Sequence, residues 1–326
     1  MTATQRTQAT PIATPAPEAI AGQDGIRSYH GQPVLKEPVW TWEIPCYFYT
    51  GGLAGAGSGL AFLAEVRGND LLARRAWLAA LAGSVASPLL LILDLGKPLR
   101  FLNMLRMFKV TSPMSVGSWL LVALGGSVPI AAIDAWTGVI PGGKYARRAA
   151  ALLGLPLATY TAALISNTAV PIWHKAHRIL PFVFASGAAM SAGAATVALT
   201  PPSSAAPARR LALAGAAAGM ATTELMERRL GEQAEPYEQG AATRFRLLAR
   251  ASGIAGALLL AARGRSSRPA AVASGLMLSG SALSTRWSVF KAGFQSVADP
   301  KYVIGPQREG IRKGERRGGA RREPRV

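Results

Sequence analysis

The proton-active and aromatic side chains of the first half of this chain gather in four short stretches. WTWEIPCYFYT carries Trp40, Trp42, Glu43, Tyr47 and Tyr49, and LLLILDLGKPLRF carries Asp94, Lys97 and Arg100. TSPMSVGSW carries Ser112, Met114, Ser115 and Trp119, and LATYTAALISNTAVPIWHKAHR carries Tyr160, Thr161, Asn167, His174 and His177. Carboxylates and phenols can pass protons, while hydroxyls and phenols can hold a carbonyl oxygen. Asp94 follows a strongly apolar run, where an aspartate costs about 2.5–3.5 kcal/mol on insertion scales. It needs a partner, and Lys97 and Arg100, about one turn on, are expected to form a structural ion pair with it. Asp94, Glu43 and Tyr160 are therefore the candidates for proton chemistry. His174 and His177 have His-x-x-His spacing but no Cys or carboxylate companions in sequence, so they read as a loop at the headgroups and no metal site is expected.

Redox groups within the chain are constrained by its inventory. One cysteine, Cys46, allows neither an internal disulfide nor a four-cysteine cluster. The three histidines, His30, His174 and His177, all lie outside the middle of an apolar segment, which disfavours a bis-histidine haem.

The elements that must position these residues are membrane helices. Half of the residues are hydrophobic and only 16% are charged, with mean hydropathy +0.22, whereas a soluble domain carries about 25% charged residues. Eight apolar segments are predicted near 44–66, 76–96, 113–135, 148–168, 179–200, 208–226, 246–263 and 269–286. Each of the first five is long enough for a core of about 30 Å; the last three are Ala/Gly-rich and marginal, and the seventh includes Arg250. Alternation of spans places the start of the first, the end of the second, the start of the third and the end of the fourth at one membrane face. The four chemical stretches sit at those ends. Gly51, Gly55 and Gly59, four residues apart, line one face of the first segment and read as helix packing.

Residues 1–38, rich in Thr, Ala and Pro, read as a disordered arm without the apolar core of a signal peptide. Residues 39–175 form a first unit carrying the polar stretches, 176–290 a second, and 291–326 a basic disordered tail. The net charge is +19. Because the basic residues cap apolar blocks and fill the tail, they fit membrane lipids and an acidic partner better than nucleic acid, which is not expected. The N-terminal face holds 24 basic residues and the other face 11, so both termini are expected in the cytoplasm; without the tail the balance is nearly even.

At WTWEIPCYFYTGGLAGAGSG, DLGKPLRFLNMLRMFKVTSPMSVGSW and LGLPLATYTAALISNTAVPIW the sequence resembles the NrfD/polysulfide reductase membrane-subunit family. The resemblance implies an all-α integral membrane protein of about eight transmembrane helices in two four-helix bundles, with a quinone pocket near one face. It also implies a ferredoxin-like iron–sulfur subunit docked on that face and a molybdenum or tungsten catalytic subunit beyond it; a formate dehydrogenase-like complex is one such arrangement. The family's pocket uses an Asn and a His near the start of the first helix and a Tyr on the fourth. Those positions hold Ile44, Tyr47 and Tyr160 here, so the location carries over better than the hydrogen bonds. The expected headgroup site comprises Tyr47 and Tyr160, with Met114, Ser115 and Trp119 around the ring and Glu43 and Asp94 serving proton transfer. Menaquinone is the expected quinone. A transporter and a purely structural membrane anchor for a soluble enzyme are the alternatives.

Overall fold

The computed structural model describes residues 34–312. The predicted arm, up to residue 33, and the end of the predicted tail, from 313, lie outside the described residues. The described elements are helical: α1 (Glu43–Val66), α2 (Asp70–Asp94), α3 (Phe101–Met104), α4 (Pro113–Thr137), α5 (Gly143–Ser166), α6 (Pro171–Lys175), α7 (Leu180–Leu199), α8 (Ala206–Leu230), α9 (Gly240–Arg263), α10 (Arg268–Ala298) and α11 (Lys301–Arg312). Two short 3-10 turns, Pro98–Arg100 and Gly231–Glu238, complete the path.

Local signals start and stop these helices. Asn69 caps α2 by accepting the Leu72 amide, Ser112 caps α4 ahead of Pro113, and Ser267 caps α10. Gly138, at φ 70°, ends α4 in the left-handed conformation. Five helices, α2, α4, α5, α7 and α9, are long and apolar enough to cross a membrane. That set departs from the expected first five segments. The glycines and terminal glutamates of α1 dilute its hydropathy, whereas the LLLAA run of α9 outweighs Arg250. Helices α8 and α10 are long but carry charges inside the bundle.

Helices α1, α2, α4 and α5 pack in a closed ring, and α7, α8, α9 and α10 in a second, joined where α1 and α5 meet α7. Small residues set the closest approaches. At the α1–α5 crossing, a Cβ on Gly55 would stand 2.4 Å from the Gly154 carbonyl oxygen, and one on Gly154 2.3 Å from that of Gly55. Of the three predicted packing glycines, Gly55 is therefore indispensable; Gly59 faces open space. In the second ring, Gly215 presses on Met190 of α7 and Gly275 on the Ala194 carbonyl.

The end of the first ring away from the N-terminus is closed by charge. Arg147 binds Asp134 and lies 3.2 Å from Glu65, which also accepts the Trp77 indole N–H at 2.7 Å. One network thus ties α1, α2, α4 and α5.

The expectation of an unpacked tail from 291 needs correction. Arg286 does not end the eighth helix, because its side chain is buried, and α10 runs on to Ala298. Next, α11 docks through buried Tyr302 and a Lys301–Glu235 ion pair of 2.8 Å. Hydrogen bonding to Lys301 depresses the Glu235 carboxyl below its ordinary 4.5, and the same bond raises Lys301.

Candidate functional site

The N-terminal end of the first ring holds the residues of interest. From the Gly55–Gly154 crossing, Tyr47 lies eight residues up α1 and Tyr160 six residues up antiparallel α5, or about 12 Å and about 9 Å along the axes. The two phenols thereby stand at similar heights at one end of the ring. Tyr47 is buried and Tyr160 half-buried. Glycines make room for both rings. A Cβ on Gly51 would stand 3.6 Å from Tyr47 Cε2 and 3.8 Å from Ser87 Oγ. Tyr160 lies flush against the α4 backbone: a Cβ on Gly117 would fall 1.8 Å from its Cζ and 1.9 Å from its hydroxyl. Beside Tyr47, Ser87 donates to the Gly83 carbonyl and lies 2.9 Å from Thr50 Oγ1, linking α2 to α1.

A polar chain lies at the rim, one turn from Tyr47. Glu43 sits one turn above Tyr47 and accepts the Thr41 hydroxyl. Asp94 Oδ1 lies 3.3 Å from both the backbone N and the Oγ1 of Thr41. The predicted ion pair is absent: among the described residues, Asp94 has no contact within 4.0 Å with Lys97 or Arg100. A one-turn pair requires the helix to continue, but α2 stops at Asp94 and Gly96, at φ 65°, turns the chain away. Asp94 instead reaches the start of α1.

Ser115 and Trp119 stand elsewhere than the ring-lining expectation put them. Ser115 Oγ donates to the Met107 carbonyl and accepts from the Lys109 amide, both at 3.0 Å. The Trp119 indole N–H donates to the same carbonyl at 3.3 Å while its ring meets Phe108 edge-on. These two residues fasten the α3–α4 loop, and Trp119 and Met114 remain exposed. Met114 shares the Gly117 face of α4 one turn nearer the rim. Much of SPMSxGSW therefore shapes a loop, and Gly117 is its member beside the phenols. The whole α2–α4 connection displays Leu99, Leu102, Met107, Phe108 and Val110 among Lys97, Arg100, Arg106 and Lys109.

Further along, Trp173 of α6 is fully buried, donates to the Val289 carbonyl at 2.7 Å and stacks on Trp40 at 5.8 Å. Exposed His174 and His177 donate from Nδ1 to nearby carbonyls, those of Ser166 at 3.1 Å and His174 at 2.9 Å respectively.

The model of the family described as polysulphide reductase, NrfD, matches residues 29–203, a span containing the whole first ring and α7. The chain belongs to the NrfD family. It is an all-α, multi-pass membrane protein of that family, and the NrfD match ends before α8, so most of the second ring lies beyond it. No curated protein matches the chain.

Three residues in or near these contacts escaped the sequence reading. Gly117 gave a signal only as a glycine in a helix interior, where close approach is the usual reason. Thr41 gave none. Arg286 was visible as a cation inside an apolar pattern: it is 1% exposed, lies 3.9 Å over the Phe184 ring and donates to the Phe184 carbonyl at 2.7 Å. It packs against Gly187 and approaches Gly52 of α1, on the side of that helix facing the second ring.

Proposed function

We propose that this chain is the membrane subunit of a respiratory oxidoreductase complex, exchanging electrons between an iron–sulfur partner subunit and membrane quinone. The feature that supports the reading is the placement of Tyr47 and Tyr160 at one level of the first ring, with the hydrogen-bonded Asp94–Thr41–Glu43 chain one turn nearer the rim. Apolar walls with a few placed donors suit a quinone ring. Gly117 lets the Tyr160 ring lie flush on the α4 backbone, which fixes where its hydroxyl stands.

When bound, the quinone supplies two-electron, two-proton redox chemistry. Tyr47 and Tyr160 would hold the headgroup, each offering a phenolic O–H as a hydrogen-bond donor to a ring oxygen. Proton supply runs from the rim through Asp94 and the Thr41 hydroxyl to Glu43, one turn above Tyr47. Met114 extends the apolar wall towards the mouth.

Electrons enter from a partner. The α2–α4 connection beside these residues combines exposed apolar side chains with four cations, which suits docking of an acidic, cluster-bearing subunit by hydrophobic contact and electrostatic steering. A molybdenum or tungsten catalytic subunit, of formate dehydrogenase type for instance, completes the assembly, and menaquinone is the quinone. All eight long helices span the membrane, with both termini on the cytoplasmic side. The test is reduction of a water-soluble naphthoquinone by the purified complex. Tyr160→Phe and Asp94→Asn should each lower turnover strongly while the complex still assembles; full activity in both variants contradicts the assignment.

A further inference from the structure

The second ring holds a cavity of about 400 Å³, bounded by α7, α8, α9 and α10 and by the turn after α8. Its walls divide by polarity. The body is apolar, with Val183, Met190, Ala216, Met220, Ile254 and Val289; the end nearer the N-terminal face holds Glu224, Glu227, Arg246, Arg250 and Tyr237. Met220 and Ile254 are 42% and 48% exposed, so the cavity reaches the outer surface of the ring between α8 and α9. That pair packs less intimately than the other neighbours.

The polar end is incompletely paired. Glu227 Oε2 receives Arg246 at 3.1 Å and Arg250 at 2.7 Å, but Glu227 Oε1 has no partner among the described residues. The same holds for the Arg246 Nε–H and the Tyr237 hydroxyl, each shut off from solvent. Tyr237 is 2% exposed as a residue. Nearby hydroxyls do not serve these groups: Ser281, Thr285 and Ser288 all donate to helix carbonyls. Leaving a buried polar group unpaired costs about 1–3 kcal/mol, so three on one cavity wall mark a place built for something that pairs with them. They ask for a hydroxyl donor to Glu227, an acceptor for Arg246, and either at Tyr237. Two glutamates offset two arginines, so the end carries no net charge to attract an anion.

We propose that this cavity is a second binding site, for a neutral amphipath whose head combines hydroxyl donors with oxygen acceptors and whose hydrocarbon tail leaves between α8 and α9. The head chemistry is shared by a hydroquinone and by an acylglycerol, and the volume suits either head with the first part of its tail. The site is separate from the Tyr47–Tyr160 slot and does not depend on its assignment.

Photolabelling of the full chain in lipid nanodiscs tests this. Two probes are used, a naphthohydroquinone and a monoacylglycerol, each with a diazirine in its tail. One of them should label the peptides around Met220 and Ile254, competed by the unlabelled compound, and which one does so identifies the source of the head. Tyr237→Phe removes only an unpartnered hydroxyl, so it should preserve Tm while reducing labelling roughly five-fold. Gly219→Leu should block labelling; its Cβ meets nothing closer than 3.6 Å and its side chain enters the cavity. Tyr160→Phe should leave labelling unchanged. Equal labelling of lipid-facing Leu258 and Leu276, insensitive to competitor and to both cavity variants, would show ordinary lipid contact and overturn the proposal. Absence of labelling by both probes would show a merely hydrated cavity and overturn it too.

Discussion

Gly117→Ala is the substitution that most sharply separates a positioned phenol from a packed one. The new Cβ would stand 1.8 Å from Tyr160 Cζ, where ordinary contact begins at 3.4 Å, so the ring must retreat by about 1.6 Å. Overpacking of this kind costs about 1–3 kcal/mol, while exchanging a helical glycine for alanine returns about 0.8–1 kcal/mol. The net loss of stability is therefore small. The functional loss is not: a misplacement of about 1 Å can cost on the order of 100-fold in rate. The assay is naphthoquinone-dependent turnover of the purified complex, compared with turnover using an artificial acceptor that bypasses this subunit. In a Tyr160→Phe background the alanine should add little, because the group it displaces has already gone; that non-additivity is the signature of a shared mechanism. Gly125→Ala and Gly126→Ala, on the same helix with nothing within 4 Å, serve as controls and should be neutral. Wild-type kinetics in Gly117→Ala, or full additivity with Tyr160→Phe, would refute the reasoning.

Two other outcomes follow from the remaining charges. Arg147→Met strands Asp134, which is 4% exposed, and should cost about 3–5 kcal/mol, read as a lower Tm in detergent; an unchanged Tm would show that the network is dispensable. Docking of α11 should depend on pH through Lys301 and Glu235. Glu235 is depressed in the folded state, so its contribution is present above 4.5 and lost as pH falls through the depressed value; Lys301 is raised, so its contribution is present below 10.5 and lost as pH climbs beyond it. Hydrogen-exchange protection of residues 301–308, taken relative to the intrinsic rate at each pH, should fall on the acid side of 4.5 and hold at neutral pH, and Glu235→Gln should abolish that dependence.

The apolar runs made the helices legible, since a segment surrounded by lipid and neighbours must satisfy its backbone internally. Alternation then put Glu43, Asp94, Ser112 and Tyr160 at one end. Side-chain direction was much less legible. Asp94 faces Thr41 because of a turn at Gly96, and periodicity cannot foresee a partner 53 residues away. Ser115 and Trp119 have the composition of a binding wall, yet their polar atoms are consumed by the Met107 carbonyl. The charges of the second ring looked like interruptions in marginal spans. Glu227, Arg246 and Arg250 come together only because α8 and α9 are antiparallel neighbours. Polar chemistry is thus not confined to the first half of the sequence.

Equilibrium binding bears most directly on the central claim that two phenols hold a quinone headgroup. A water-soluble naphthoquinone is titrated into the full chain carrying Gly219→Leu, so that the second cavity does not contribute. Removing both hydroxyls with Tyr47→Phe and Tyr160→Phe should weaken Kd about 30-fold, the equivalent of two hydrogen bonds of about 1 kcal/mol each. An unchanged Kd would mean that the headgroup is held somewhere else.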